Sequence, residues 1–407
     1  MFEDKFTMHR TVLPVINSGL KKIITSRTGN IFAVLSIYIV SRAVLLIIGM
    51  IALHMVPPSA ATQLGLLSYS YPNNWLGLWS HWDSAWYSRI ADQGYTGPIL
   101  TPGDFFGQAS YAFFPLLPLL TKVLSKVLGI QILAAGLLLA NAMQVIAGIF
   151  LYRYVVLRFD NRQIALTAVT AMFFFPGSFV FSSFMTESLY LSLAIISFFY
   201  MEKEQYGRGA AAASLITIAR SPGILFFFIF ILHWLRKNHD VRSILENDWR
   251  SFLKILLIPL PLLMFMGFLF TKFDSAFAFS QVHVFWGRSL ATPLQSLFHD
   301  LFYFHNLSDI SGALVSFVAF FTVSLIIINL KRLTAEEIIF SLAGILVPLS
   351  TSLESAIRLC DVIFPLFIAI SLLSGKYPKL GLPLIASLAM INAMLMVFWV
   401  IGTSLYV

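Results

Sequence analysis

The chain has 407 residues, 58% of them hydrophobic and only 11% charged, with 39 phenylalanines and a formal net charge of +8. So apolar a composition exceeds what a soluble domain of this size needs and belongs to a polytopic membrane protein. It excludes nucleic acid as the partner of the positive charge, because no soluble domain or aromatic–basic groove motif is present to bind it. The single cysteine, Cys360, excludes an internal disulfide.

Apolar runs predict all-α spans at 31–56, 131–152, 164–182, 185–201, 209–219, 222–235, 255–271, 310–330, 338–352, 361–374 and 380–405, eleven in all. A full crossing takes about 20 apolar residues, so the runs of 11 to 17 residues are read as helices extended by polar ends or broken near the membrane surface. The basic N-terminal stretch leads into a run longer than a signal-peptide core and is expected to persist as the first span. No internal repeat, low-complexity tract or linker is visible, so 1–407 reads as one membrane domain.

With the N-terminus inside, the short connections on that side hold 19 of the 27 lysines and arginines. This bias orients the chain N-inside and C-outside in the cell membrane and places the two long connections, 57–130 and 272–309, on the extracytoplasmic face. The acidic residues Asp83, Asp92, Asp104, Glu187, Asp274, Asp300, Asp309, Glu354 and Asp361 sort to the same side.

The first long connection carries Trp79-Ser80-His81-Trp82-Asp83-Ser84-Ala85-Trp86-Tyr87-Ser88-Arg89, an unusual concentration of polar and aromatic groups beside a membrane. The pattern predicts a helix over 84–92, capped by Asp83 or Ser84 and stopped by Gly94. Trp82, Trp86 and Ile90 then share one face, as in a helix lying in the interface. Residues 111–128 read as a second surface-lying segment. Asp83 suits either a helix cap or a carboxylate base that takes the proton of an attacking sugar hydroxyl. Trp79 and Trp86 suit interfacial anchors better than sugar platforms. His81 has no partners at metal-ligand spacing beyond Asp83.

Farther along, Glu187 opens the fourth span, where a helix N-terminus favours a carboxylate. It also lies at a depth that allows it to meet Asp83. Arg220, Arg288 and Arg358 sit at outward ends of spans against the charge trend. They suit either snorkelling cations or bidentate phosphate ligands. Arg42, midway through the first span, requires a partner inside the bundle. A polar-aromatic island at 281–293, with Gln281, Trp286 and Arg288, completes a composite outer pocket.

The order Trp82-Asp83, Tyr87, Ile90-Ala91, Gly94-Tyr95 and Ala112-Phe113-Phe114-Pro115-Leu116-Leu117-Pro118 resembles the GPI mannosyltransferase II family and its bacterial relatives. Thr186-Glu187-Ser188, Arg220-Ser221-Pro222-Gly223, Gln281 with Trp286-Gly287-Arg288, and Arg358 ahead of Phe364-Pro365 follow in the family's order. The resemblance therefore runs from about residue 30 to 375. Family members often have a histidine shortly after the Trp-Asp pair; here Ala85-Trp86-Tyr87 stand there and His81 precedes it.

The resemblance implies a GT-C membrane glycosyltransferase that transfers a hexose, mannose by inheritance, from a polyprenyl-phosphate sugar to a lipid or glycan acceptor with inversion. It makes Asp83 the catalytic carboxylate, Glu187 its support, and Arg220, Arg288 and Arg358 the donor-phosphate ligands. His81, Trp82, Arg89, Tyr95, Asp104, Gln281 and Trp286 complete the substrate pocket. No cofactor is required, since the leaving group is already an anion; a divalent ion is compatible, but no residue pattern calls for one. Substrates and membrane lipids are the expected partners. A transporter or flippase of a lipid-linked sugar would share the outer cavity, but transporters of this size usually show two related halves, and none is found. A scaffold role leaves the large polar outer connection unexplained.

Overall fold

The computed structural model describes residues 27–55, 75–100, 107–237, 249–286, 307–349, 358 and 360–400. Among these the protein is helical throughout, with no strand. The elements are α1 (Arg27–Met55), α2 (Ser84–Gln93), α3 (Leu116–Leu128), α4 (Ile132–Phe159), α5 (Arg162–Phe174), α6 (Glu187–Glu202), α7 (Tyr206–Thr217) and α8 (Leu225–Lys237). They continue with α9 (Trp249–Leu256), α10 (Leu260–Phe273), α11 (Ala278–Gln281), α12 (Leu307–Ile328), α13 (Ala335–Leu349), α14 (Phe364–Lys376) and α15 (Pro378–Val400). Each of the eleven apolar runs overlaps a helix within the described residues, and the run at 164–182 is broken after Phe174. Among the described residues, four helical stretches are long and apolar enough to cross a membrane: Asn30–Met55, Ile132–Phe159, Trp249–Phe273 and Pro378–Val400.

Helix boundaries follow local chemistry. Gly94 ends α2 with φ of 79° and Gly129 ends α3 in the left-handed region at 64°, a geometry only glycine adopts without cost. Asn161 caps α5, its side chain accepting from the Ile164 N–H at 3.0 Å. Pro259 marks the boundary between α9 and α10. At the start of α13, Thr334 and Glu337 form a reciprocal capping box: Glu337 accepts from the Thr334 N–H at 2.7 Å, and Thr334 Oγ1 accepts from the Glu337 N–H at 3.1 Å.

Helix α4 packs on α5 and α6, and α14 packs on α5. Phenylalanines fill the space between layers. Phe198 of α6, Phe226 of α8, Phe340 of α13 and Phe364 of α14 meet edge-on or tilted, with ring centroids 5.0 to 6.0 Å apart. One end of the bundle is tied by ionic groups at the start of α13. Glu337, fully buried, accepts from Tyr154 and Arg158, each at 2.8 Å, and Glu336 pairs with Arg236 at 3.1 Å.

The decisive local event is the early end of α5. Pro176 and Gly177, with φ of 96° at the glycine, halt the helix after Phe174, and the chain runs through a 3-10 turn (Ser178–Ser182) before α6 begins. Residues 175–190 are all buried, so their backbone groups need partners within the protein. Arg42 supplies them. Its guanidinium donates to the Phe173 carbonyl at 2.8 Å and to the Ser178 carbonyl at 2.7 Å, which answers what a mid-span arginine pairs with. Asn392 accepts from the Gly177 N–H at 3.1 Å and donates to Ser178 Oγ at 2.9 Å, while Ser182 Oγ donates to Asn141 at 2.9 Å.

The first long connection departs from the interfacial helix predicted for it. Trp86 and Ile90 are 4% and 5% exposed, and Trp79 is also buried. The reason is packing: Trp86 stacks on Phe113 with centroids 5.5 Å apart, so the helix faces the protein rather than lipid. Trp79 and Trp86 are thus core residues, neither anchors nor platforms. Helix α3 does present apolar Leu119, Val123 and Val127 outward, as expected of a surface-lying segment.

Replacing Arg42 by Met removes the guanidinium donors of two buried carbonyls, Phe173 keeping the bond from Ser178 Oγ at 2.7 Å, and is expected to lower stability by about 2 kcal/mol. Denaturant unfolding in detergent checks this, and a variant as stable as the parent would show that the break does not depend on Arg42.

Candidate active site

The break in α5 sets Glu187 as the first residue of α6, where the macrodipole and the N-terminal N–H groups favour a carboxylate. Its side chain is only 2% exposed, so its charge needs partners. Two arginines provide them, both at Oε1: Arg220 Nη1 donates at 3.0 Å, and Arg358 Nε lies 3.1 Å away. The second oxygen, Oε2, is buried without a hydrogen-bond partner among the described residues.

Arg220 arrives through a turn that only glycine allows. A Cβ on Gly223 would sit 2.4 Å from the Ile216 carbonyl oxygen, so the 3-10 turn (Ser221–Ile224) can fold tightly back on α7. The Gly223 N–H bonds the Arg220 carbonyl at 2.9 Å, fixing the arginine at the turn's start.

Asp83 stands at the cap position of α2 but makes no capping bond. Its Oδ2 instead lies 2.8 Å from Arg358 Nη1. Of the two roles the sequence allowed, the structure leaves the side chain to the arginine. Trp82 before it has φ of 54°, a left-handed backbone that a bulky residue seldom adopts. The result is a chain of alternating charge, Asp83–Arg358–Glu187–Arg220, two anions and two cations in one cluster. Burial opposes the charge on Arg358, but Asp83, Glu187 and Tyr87 outweigh it and raise its pKa, so the guanidinium stays charged. Burial, with Asp83 and Glu187 nearby, pushes the Tyr87 phenol well up, and the hydroxyl keeps its proton. Asp83 keeps a quarter of its side chain exposed, against 7% for Arg358, and so forms the accessible end.

At the other end Arg220 lines an apolar crevice of about 30 Å³ with Leu225, Phe340, Ala343, Gly344 and Ile363. Gly344 keeps it open, since a Cβ there would come within 3.0 Å of Ile363. Nothing in the sequence marked these wall residues, because apolar side chains at a crevice read like any others in a span.

The remaining expected pocket residues divide. His81 is buried against Trp399, edge-on at 5.3 Å, and burial lowers its pKa to about 4. It belongs to the core rather than a ligand surface. The Tyr95 hydroxyl is committed to the Phe113 carbonyl at 2.7 Å and its ring to Phe265 and Phe268, so it braces the first long connection instead of facing the charged chain. Arg89 is half-buried on α2. Gln281 is exposed and accepts from Ser275 at 2.9 Å, with no contact to the charged chain. Asp104 and Arg288 lie outside the described residues, as does the side chain of Trp286. No group of three or more His, Cys, Asp or Glu side chains suited to a metal occurs among the described residues. Tyr87 is the site neighbour that residue chemistry alone did not single out; its position one turn after Asp83 was the available signal.

A helical membrane bundle with a carboxylate and guanidinium groups beside an apolar crevice is the class of protein defined so far. Residues 31–274, well over half the chain, match the family described as Mannosyltransferase (PIG-V), and the chain belongs to that family. The matched region includes Asp83, Glu187 and Arg220; Arg358 lies beyond it. No curated protein sequence is significantly similar. Among solved structures, the Archaeoglobus fulgidus oligosaccharyltransferase in its apo form is similar at 12% identity over 89% of this chain and 56% of that one, with a TM-score of 0.49. The same enzyme tethered to an acceptor peptide gives 12%, 89%, 55% and 0.45. The archaeal oligosaccharyltransferase AglB from that organism, in complex with an inhibitory peptide and a dolichol-phosphate, gives 13%, 90%, 56% and 0.45. The chain spans about half the length of these proteins.

A buried histidine held neutral makes acid costly. Between its ordinary pKa near 6.5 and the folded value of about 4, the unfolded chain binds the proton and the folded chain does not. Stability is therefore expected to fall on the order of 3 kcal/mol as pH drops through that window, with no contribution from His81 above it. His81→Gln should flatten this part of the curve in thermal unfolding from pH 7 to 4; identical curves would reject the assignment.

Proposed function

We propose that the protein is an inverting membrane mannosyltransferase that moves the sugar from a polyprenyl-phosphate donor to a hydroxyl of a lipid or glycan acceptor. The observation that carries the reading is the alternating chain Asp83–Arg358–Glu187–Arg220, open at Asp83 and bordered by an apolar crevice at Arg220. A donor of this class carries a phosphodiester that the two guanidiniums suit and a polyprenyl tail that suits a membrane bundle. Family membership favours it and gives the transporter reading no support.

In this reading Asp83 accepts the acceptor's hydroxyl proton as that oxygen attacks the anomeric carbon. The bond from that carbon to the phosphate oxygen breaks on the opposite face, and the polyprenyl phosphate leaves with the electron pair. Arg358 and Arg220 neutralise the phosphate oxygens as charge builds. Glu187, paired with both guanidiniums through one oxygen, holds the two cations beside each other. Because the leaving group is an anion stabilised by fixed cations, the transfer needs no divalent ion. The lysine and arginine bias of the connections supports an extracytoplasmic site.

Purified protein incubated with a panel of polyprenyl-phosphate sugars is expected to consume the mannosyl donor, with mass spectrometry reading donor loss and product; consumption of none of them would defeat the proposal. Asp83→Asn should reduce transfer by at least roughly 100-fold in protein that still folds, with a lowered melting temperature because Arg358 loses a charged partner. Activity within a few-fold of the parent would remove Asp83 as the base. Transfer should persist in excess EDTA, and its abolition there with recovery on adding a divalent ion would show that a metal takes part.

A further inference from the structure

A cavity far larger than the crevice beside Arg220 lies away from this site. It is a groove of about 700 Å³ between the N-terminal half of α5, the C-terminal turns of α14 and the N-terminal turns of α15. These are the ends of the three helices remote from the charged chain. Helix α5 runs from the groove toward the break before Glu187, α14 runs toward it from the Arg358 side, and α15 runs away from it to Trp399 against His81.

The groove is amphipathic along its length. Its ionisable lining consists of Arg332 and Lys376, both cations at the rim, with no acidic residue. The α5 wall adds Thr167 and Thr170 one turn apart, and the floor is apolar, with Ile164 and Ile385. Thr170 already donates to the Leu166 carbonyl at 2.8 Å, which leaves its oxygen free only to accept. The N-terminal ends of α5 and α15 reach the groove through Asn161 and Pro378, adding positive helix-dipole charge to the two cations. A soluble anion would have no use for the floor, and a neutral lipid none for the rim.

We propose that this groove seats an anionic phospholipid, its phosphate between Arg332 and Lys376 and the start of an acyl chain along the isoleucine floor. The ligand is distinct from the sugar donor, whose proposed place is at the other end of the bundle, and the inference stands or falls apart from the transfer reaction. By the charge bias of the connections, this end faces the cytoplasm.

The test uses the full chain in neutral detergent with phosphatidylglycerol or phosphatidylcholine added, bound lipid being counted by native mass spectrometry. The parent should retain phosphatidylglycerol in preference to phosphatidylcholine, and the double variant Arg332→Ala/Lys376→Ala should bind it on the order of tenfold more weakly. Lys379→Ala, an exposed lysine outside the lining, should bind as the parent does. Equal retention of the two lipids, or undiminished binding by the double variant, overturns the proposal. Displacement of the lipid by soluble glycerol phosphate also overturns it, since it would mark a plain phosphate site without use of the floor.

Discussion

A backbone inside a membrane bundle has no water to fall back on, and the interruption between α5 and α6 turns that constraint into architecture. Once Pro176 ends α5, the carbonyls of its last turn need donors and the next helix needs a beginning. Arg42 meets the first need, and Asn392 and Ser182 secure the irregular segment. The second need creates the site, because α6 then starts deep in the bundle with Glu187 at its positive end. Had α5 continued, no helix N-terminus would face the arginines. The same glutamate in a helix interior would be a buried charge of high cost.

From Glu187 the arrangement propagates by charge pairing. Arg220 is delivered by a glycine-dependent turn, Arg358 by the stretch ahead of α14, and Asp83 by the cap position of α2. Three segments distant in sequence are held together because each buried charge needs the next. Such pairs are weakly screened and poor sources of net stability, yet removing one member leaves an uncompensated ion. The cluster is therefore better understood as a device for fixing geometry than as a source of folding energy. The phenylalanine-rich layers of α6, α8, α13 and α14 supply the packing that it lacks.

Much of this was legible in the sequence because membrane composition leaves few places for charge. The apolar runs located helices, and the lone outward cations and the Trp82-Asp83 segment pointed to one end of the bundle. Gly94 and Asp83 bounded α2 to within a residue. What escaped was direction. A period of apolar residues at i, i+4 and i+8 describes a face but not its neighbour, so Trp86 and Ile90 read as interfacial although both are buried, Trp86 against Phe113. His81 and Tyr95 had the chemistry of ligand contacts, while their actual partners, Trp399 and Phe113, lie 318 and 18 residues away in sequence. The crevice wall was invisible for a simpler reason. Its residues are ordinary for a span, and only Gly344 against Ile363 makes a gap of them.

Trp82 carries a further consequence. A large side chain with a left-handed backbone costs on the order of 1–3 kcal/mol, and the surrounding packing of the first connection must hold it there. The aim of Asp83 toward Arg358 is thus maintained against a local conformational preference. A glycine at 82 would relax the peptide, but it would lose the ring's packing against the core and free the carboxylate to wander. The indole thus supplies both the packing that holds the torsion and the torsion that aims the carboxylate.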